Sequence, residues 1–172
     1  MELLKVKSFQ EKLNSGYCGP ASLKMVMSYF GQDYGEDEVA LKCNCDPNLG
    51  VSAESIREAA ESYGFEVVIQ DNSNYEDLGL WLNRGVPVIV DWFTGGRNDY
   101  GYGKVPDGHY SVVVGLDIKN IYLQDPEIGE MRTIGREDFI RVWFDFAGSS
   151  INQWKDITLR QIIAIYPKGF IK

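Results

Sequence analysis

Cys18 and His109 are the residues of this chain whose types could together do nucleophilic chemistry. Cys18 sits in Tyr17-Cys-Gly-Pro-Ala-Ser22, where a loop gives way to a helical pattern, and His109, the single histidine, opens the run His109-Tyr-Ser-Val-Val-Val-Gly115. A thiol with an imidazole is the minimum set for thiolate attack on a carbonyl. At a helix start the unpaired N–H groups and the positive end of the macrodipole favour the thiolate. Gly19 removes bulk beside the sulfur, so backbone N–H groups there could hold an oxyanion. Each residue has a competing core reading: a small buried cysteine capping a helix, and a histidine half-buried in a strand. Two details favour chemistry for His109. It follows a glycine-rich loop, where a strand end can face a cleft, and strand alternation puts His109, Ser111 and Val113 on one face.

Asp125, in Gln124-Asp-Pro126, is the candidate to orient His109, since a carboxylate accepting one ring N–H fixes the tautomer and stabilises the imidazolium. Asp-Pro is also a frequent turn starter. A tight hairpin centred near Lys119 pairs Asp125 with about Val113, four residues from His109, or roughly 13 Å along the strand. The two can meet only if the strands twist, bulge or diverge. Asp107 and Asp117 are alternatives, but Asp117 lies roughly 26 Å along the same strand from His109.

The elements that must carry these residues divide into a helix-rich first half and a strand-rich second half. Leu23, Val26, Met27 and Phe30 follow Cys18 at helical spacing, and Gly31 stops the pattern. Glu36 to Leu41 reads as a short helix; Ser52 caps Ala53 to Tyr63, and Asn74 caps Tyr75 to Asn83. Phe65 to Ile69, Val86 to Asp91, His109 to Leu116, Ile121 to Gln124, Met131 to Ile134 and Gln161 to Tyr166 read as strands, with Pro87 marking an edge or a strand start. Arg136 to Phe144 reads as a helix, and Phe93 to Gly108 as a long loop whose Tyr100 and Tyr102 are candidates to touch substrate. Trp81, Trp143 and Trp154 are expected in the core or at its margin. With no repeat or linker, residues 1–172 read as one α+β domain.

Composition narrows the partners. A net charge of −8 and a pI near 4.7 argue against nucleic acid and against an anionic membrane surface. No apolar run is long enough to span a bilayer, the start of the chain lacks a signal-peptide pattern, and three cysteines form no disulfide framework; the expectation is a cytoplasmic protein. Cys43 and Cys45 are too close, and have too few companions, for a zinc site, and read as a helix-end thiol pair.

The segments Cys18-Gly-Pro-Ala-Ser-Leu-Lys-Met25, Gly108-His-Tyr-Ser-Val-Val-Val-Gly115 and Asp125-Pro126, in this order, resemble the C39-type cysteine peptidases. These are papain-like proteases that include the double-glycine leader peptidases of bacteriocin exporters. The resemblance runs from about Gln10 to Trp143 and includes Asn83-Arg-Gly-Val-Pro-Val-Ile-Val90. It implies a papain-like α+β fold, with an N-terminal helical half packed on a C-terminal antiparallel sheet. It also implies a triad of Cys18 as nucleophile, His109 as base and Asp125 as its partner, sixteen residues on. The family places a Gln six residues before the cysteine for the oxyanion hole, where this chain has Lys12. Gln10, with a two-residue insertion, is the favoured substitute, and Asn14 is the alternative. The implied function is hydrolysis of a peptide or small amide bond, with no metal or organic cofactor. A catalytically silent binding module and a phytochelatin synthase-like γ-glutamyl transferase are the alternatives. Specificity and oligomeric state leave no mark in the sequence.

Overall fold

The computed structural model describes residues 2–13, 15–94, 107–146 and 151–171. Asn14, Tyr100 and Tyr102 lie outside the described residues. Helix α1, Cys18–Tyr29, forms on the predicted apolar stripe and buries Leu23, Val26 and Met27. It stops at Gly31, whose φ of +86° is open to glycine at little cost. There the Gln32 N–H reaches back to the Met27 carbonyl at 2.9 Å, closing the helix end. Helices α2 (Glu36–Lys42) and α3 (Ala53–Ser62) follow, the latter capped by the Ser52 hydroxyl, which accepts from the Ser55 N–H at 3.1 Å. Strand β1, Phe65–Gln70, leads to α4, Tyr75–Asn83. The Asn74 side chain accepts from the Glu76 and Asp77 N–H groups, and Asp77 returns the contact to the Asn74 N–H at 2.9 Å.

The second half supplies β2 (Val88–Phe93), β3 (Gly108–Leu116), β4 (Asn120–Asp125), β5 (Glu130–Gly135), α5 (Arg136–Val142), β6 (Phe144–Phe146), β7 (Ile157–Leu159) and β8 (Ile162–Pro167). Six strands form one antiparallel sheet in the order β1-β8-β2-β3-β4-β5, and β6 pairs with β7 separately. Pro87 stands just ahead of β2, an interior strand, so its missing N–H removes no ladder bond. Period-two alternation sends Ile89, Val112, Val114, Ile163 and Ile165 to one face, under α1–α3. Val88, Val90, Val113, Leu123 and Ile162 go to the other face, against Leu78 and Leu82 of α4 and Phe139 of α5.

Two expectations change. The helix expected to run to Phe144 ends at Val142. Phe144 instead pairs with Leu159 and stacks on Phe93 at 5.3 Å, so sheet pairing and aromatic packing take it out of the helix. Trp154 lies not at the core margin but in solvent, 87% exposed.

Candidate active site

Cys18 is the first residue of α1, and Tyr17 before it offers no side-chain cap. With no acidic residue in the first turn, no carboxylate competes for the positive end of the helix. Gly19 is buried where a Cβ would run into Val51 and come within 3.2 Å of Tyr110. The missing side chain therefore lets the first turn of α1 sit directly on the start of β3, which carries His109.

Asp125 reaches His109 because of a bulge. The β3/β4 ladder runs Leu116↔Ile121 and Gly115↔Tyr122, then shifts to Val113↔Leu123 and Val112↔Gln124. A regular ladder would set Asp125 opposite Val112, on the face away from His109. The extra residue instead sets it opposite Ser111, on the face of His109 and one diagonal step from it. The result is a contact of 2.7 Å between His109 Nε2 and Asp125 Oδ1. Asp125 Oδ1 also accepts from the Glu127 N–H at 3.0 Å, and Oδ2 from Arg132 Nε at 2.6 Å.

Burial works against charge on both partners, and specific contacts outweigh it. Burial would raise the Asp125 pKa, but hydrogen bonds from His109 and Arg132 hold it well below the usual carboxylate range. Burial would lower the His109 pKa, yet Asp125 and then Cys18 lift it well above the ordinary value. With Nε2 on Asp125, Nδ1 is the ring nitrogen left for the Cys18 thiol. The edge of His109 also packs on Trp92, with ring centroids 5.7 Å apart.

Cys18, His109 and Asp125 are thus brought together. Gln10 is exposed, its amide reaching the Glu127 carbonyl at 3.4 Å and its Cβ lying against Gly129. The next residue, Glu11, is the one that turns inward. Its N–H donates to the Pro126 carbonyl at 2.8 Å, and its Oε2 is buried without a hydrogen-bond partner. Burial first, then Asp125, Glu127 and Glu36, push its carboxyl up to about 7 against the opposing pull of His109. Neither Glu11 nor Arg132 stands out by residue type. The available signal for Glu11 is alternation: in an extended segment an outward Gln10 implies an inward neighbour.

A second acidic group lies beside His109. Asp91 of β2 is buried, and its pKa is raised well above the usual range by burial and by Asp145, whose carboxylate occupies the space a side chain on Gly108 would need. Cys43 is fully buried in the core at the end of α2, while the Cys45 thiol donates to the Gly16 carbonyl at 3.3 Å. Among the described residues, His109, Asp125 and Glu127 are the cluster with metal-ligand spacing. Both Asp125 oxygens already meet partners in His109 and Arg132, and the Arg132 guanidinium also lies 3.9 Å from the Glu127 carboxylate.

The family model for the Peptidase_C39 like family matches residues 4–151. The chain belongs to that family. A relative, an uncharacterized protein of Methanothermobacter marburgensis, is 30% identical over 150 residues, spanning 83% of this chain and 92% of that protein. Two solved structures share the fold. One is the peptidase domain of Streptococcus ComA, a bifunctional ABC transporter of a quorum-sensing pathway, with a TM-score of 0.69, 21% identity, and coverage of 94% of this chain and 99% of that one. The other is a double-glycine motif protease from an AMS/PCAT transporter in complex with the leader peptide, with a TM-score of 0.69, 22% identity, and coverage of 96% and 94%. The expected papain-like α+β fold of the C39 peptidase domains is therefore the fold of this chain.

Proposed function

We propose that this chain is a cysteine peptidase or amidase, a hydrolase that opens a peptide or small amide bond through Cys18, His109 and Asp125. The observation that carries the reading is the 2.7 Å contact of Asp125 with His109 Nε2, which leaves Nδ1 for a thiol at the start of α1. In the reaction the Cys18 thiolate attacks the amide carbonyl carbon; a C–S bond forms and the π pair moves to oxygen. Backbone N–H groups at the start of α1 stabilise that oxyanion. His109 gives its proton to the leaving amine as the C–N bond breaks, then takes one from the water that opens the thioester. Asp125 holds the ring and balances the imidazolium. The leader peptide bound to the transporter protease supports a peptide as substrate here. Three free thiols, and no helix among the described residues long and apolar enough to cross a membrane, support a reducing, cytoplasmic setting.

Iodoacetamide tests this. Burial pushes the Cys43 and Cys45 thiols up to about 12 and about 11, so both are protonated at pH 7. Cys18 should be alkylated at least about 100-fold faster than either, and His109→Ala should remove most of that advantage. Slow, uniform labelling of all three would favour a silent binding module instead.

A further inference from the structure

We propose that Glu11, in its uncharged form, donates the side-chain hydrogen bond that stabilises the oxyanion formed at Cys18. The inference rests on the acyl-transfer reading above and names the donor it lacks. Acyl transfer needs donors aimed at the oxygen that becomes negative, and backbone N–H groups commonly act with one side chain. Glu11 lies within electrostatic reach of His109 and of Cys45, which is itself beside Cys18. Its backbone is fixed on both sides, by its own N–H on the Pro126 carbonyl and by the Lys12 N–H on Glu36 Oε1 at 2.9 Å. Its Oε2 is buried with nothing to bond.

The charged groups around it come from every neighbouring element. His109 of β3, Asp125 at the end of β4, Glu127 in the following turn and Glu36 of α2 all act on its carboxyl, and Glu11 in turn acts on Cys45 beside Cys18. Three of these neighbours are carboxylates, and His109 alone opposes them. A negative Glu11 would repel both the thiolate and the oxyanion, whereas a neutral one offers an O–H. A carboxylic acid kept neutral by its surroundings is an effective oxyanion donor. Gln10, by contrast, directs its amide outward to the Glu127 carbonyl.

p-Nitrophenyl acetate separates Glu11 from His109. Cys18 attacks the acetyl carbon, the C–S bond forms, and the tetrahedral oxyanion collapses with loss of p-nitrophenolate. That leaving group needs no proton, so an alkaline decline in acylation reports Glu11 rather than the imidazolium. Water then hydrolyses the acetyl thioester, His109 taking its proton. In the native protein the acylation rate should fall about tenfold per pH unit above the Glu11 ionisation. Glu11→Gln should keep the rate within about tenfold at pH 6 and abolish the decline, overtaking the native protein by pH 9. Glu11→Ala should lose about 100-fold at pH 6. Carboxyl 13C resonances, with Glu11 assigned by their loss in Glu11→Gln, should show it titrating close to 7.

An alkaline decline that persists in Glu11→Gln, or a Glu11 carboxyl that titrates near 4.5, overturns the proposal even if Cys18 is active. A native protein whose Cys18 is never acylated overturns the peptidase reading itself, and the Glu11 proposal with it. Should Glu11→Ala fail to fold, the carboxyl titration and the Glu11→Gln profile still decide.

Discussion

Asp125 is fully shielded from water yet carries a charge, and the reason is that both of its oxygens face cationic or N–H donors. His109 and the Glu127 N–H meet Oδ1, and Arg132 meets Oδ2. Replacing Asp125 with Ala would remove the acceptor that holds the ring and leave Arg132 unbalanced. Turnover of an amide substrate should drop about 10³- to 10⁴-fold. A fall smaller than tenfold would remove Asp125 from the mechanism. Arg132→Met makes a separate prediction. It removes the guanidinium that balances a buried carboxylate and should cost about 3 kcal/mol in urea unfolding. The same change strengthens the pull of Asp125 on the ring, so the pH dependence of Cys18 alkylation should move to higher pH; an unmoved profile would assign Arg132 to packing. Cys18, His109 and Asp125 were legible in the sequence as candidates because thiol, imidazole and Asp-Pro each carry chemistry in their type and local context. Glu11 was not. Carboxylates are common, and only the backbone anchors at Pro126 and Glu36 decide that this one points inward while Gln10 points out.

The elements were readable wherever a local signal sets them. Gly31 ends α1, Ser52 starts α3 and Asn74 starts α4, each through contacts within a few residues of chain. Asn74→Ala should cost about 1 kcal/mol in thermal unfolding and leave the alkylation rate of Cys18 intact, because the contacts it removes lie within the first turn of α4. A change in that rate would mean that this turn and the site are coupled. The bulge in β3 had no such local signature. It rests on long-range contacts: the Leu4 N–H donates to the Val114 carbonyl at 2.8 Å, and Leu3 fills the space above Gly115. A straight hairpin leaves Asp125 too far along the strand or on the wrong face, so one extra residue decides whether Asp125 meets His109. The short β6/β7 pair was hidden for a similar reason, since Phe144 is drawn from a helical context by partners at Leu159 and Phe93. Gly19→Ala tests the other approach in this site. Its new methyl must displace Val51 and press on Tyr110, costing about 1–3 kcal/mol, and the alkylation rate should fall as α1 moves away from His109. A stable Gly19→Ala protein with native reactivity would contradict that fit.

Across the whole molecule, the site burdens stability in a way that depends on pH. Asp125 has a folded pKa below its unfolded one, so its contribution is present above about pH 4 and is lost as pH falls. Glu11 and Asp91 have folded values above their unfolded ones. Their contribution is complete below about pH 4 and is lost as pH rises, for Glu11 between 4.5 and about 7. His109, also raised, adds stability below about pH 6.5 that disappears as pH climbs through its folded value. All three raised groups act in the same direction, so the melting temperature should peak near pH 5 and decline towards pH 8. That places maximum stability close to the pI of about 4.7, where the charge that keeps the protein soluble is smallest. Glu11 alone accounts for on the order of 2 kcal/mol of the decline, after allowance for its partial exposure. Glu11→Gln should therefore gain about that much on the native protein between pH 5 and pH 8, read as a flatter series of melting temperatures. A native melting temperature that holds level or rises over that interval would show that Glu11 and Asp91 ionise freely in the fold, and that the inward carboxylates impose no strain on it.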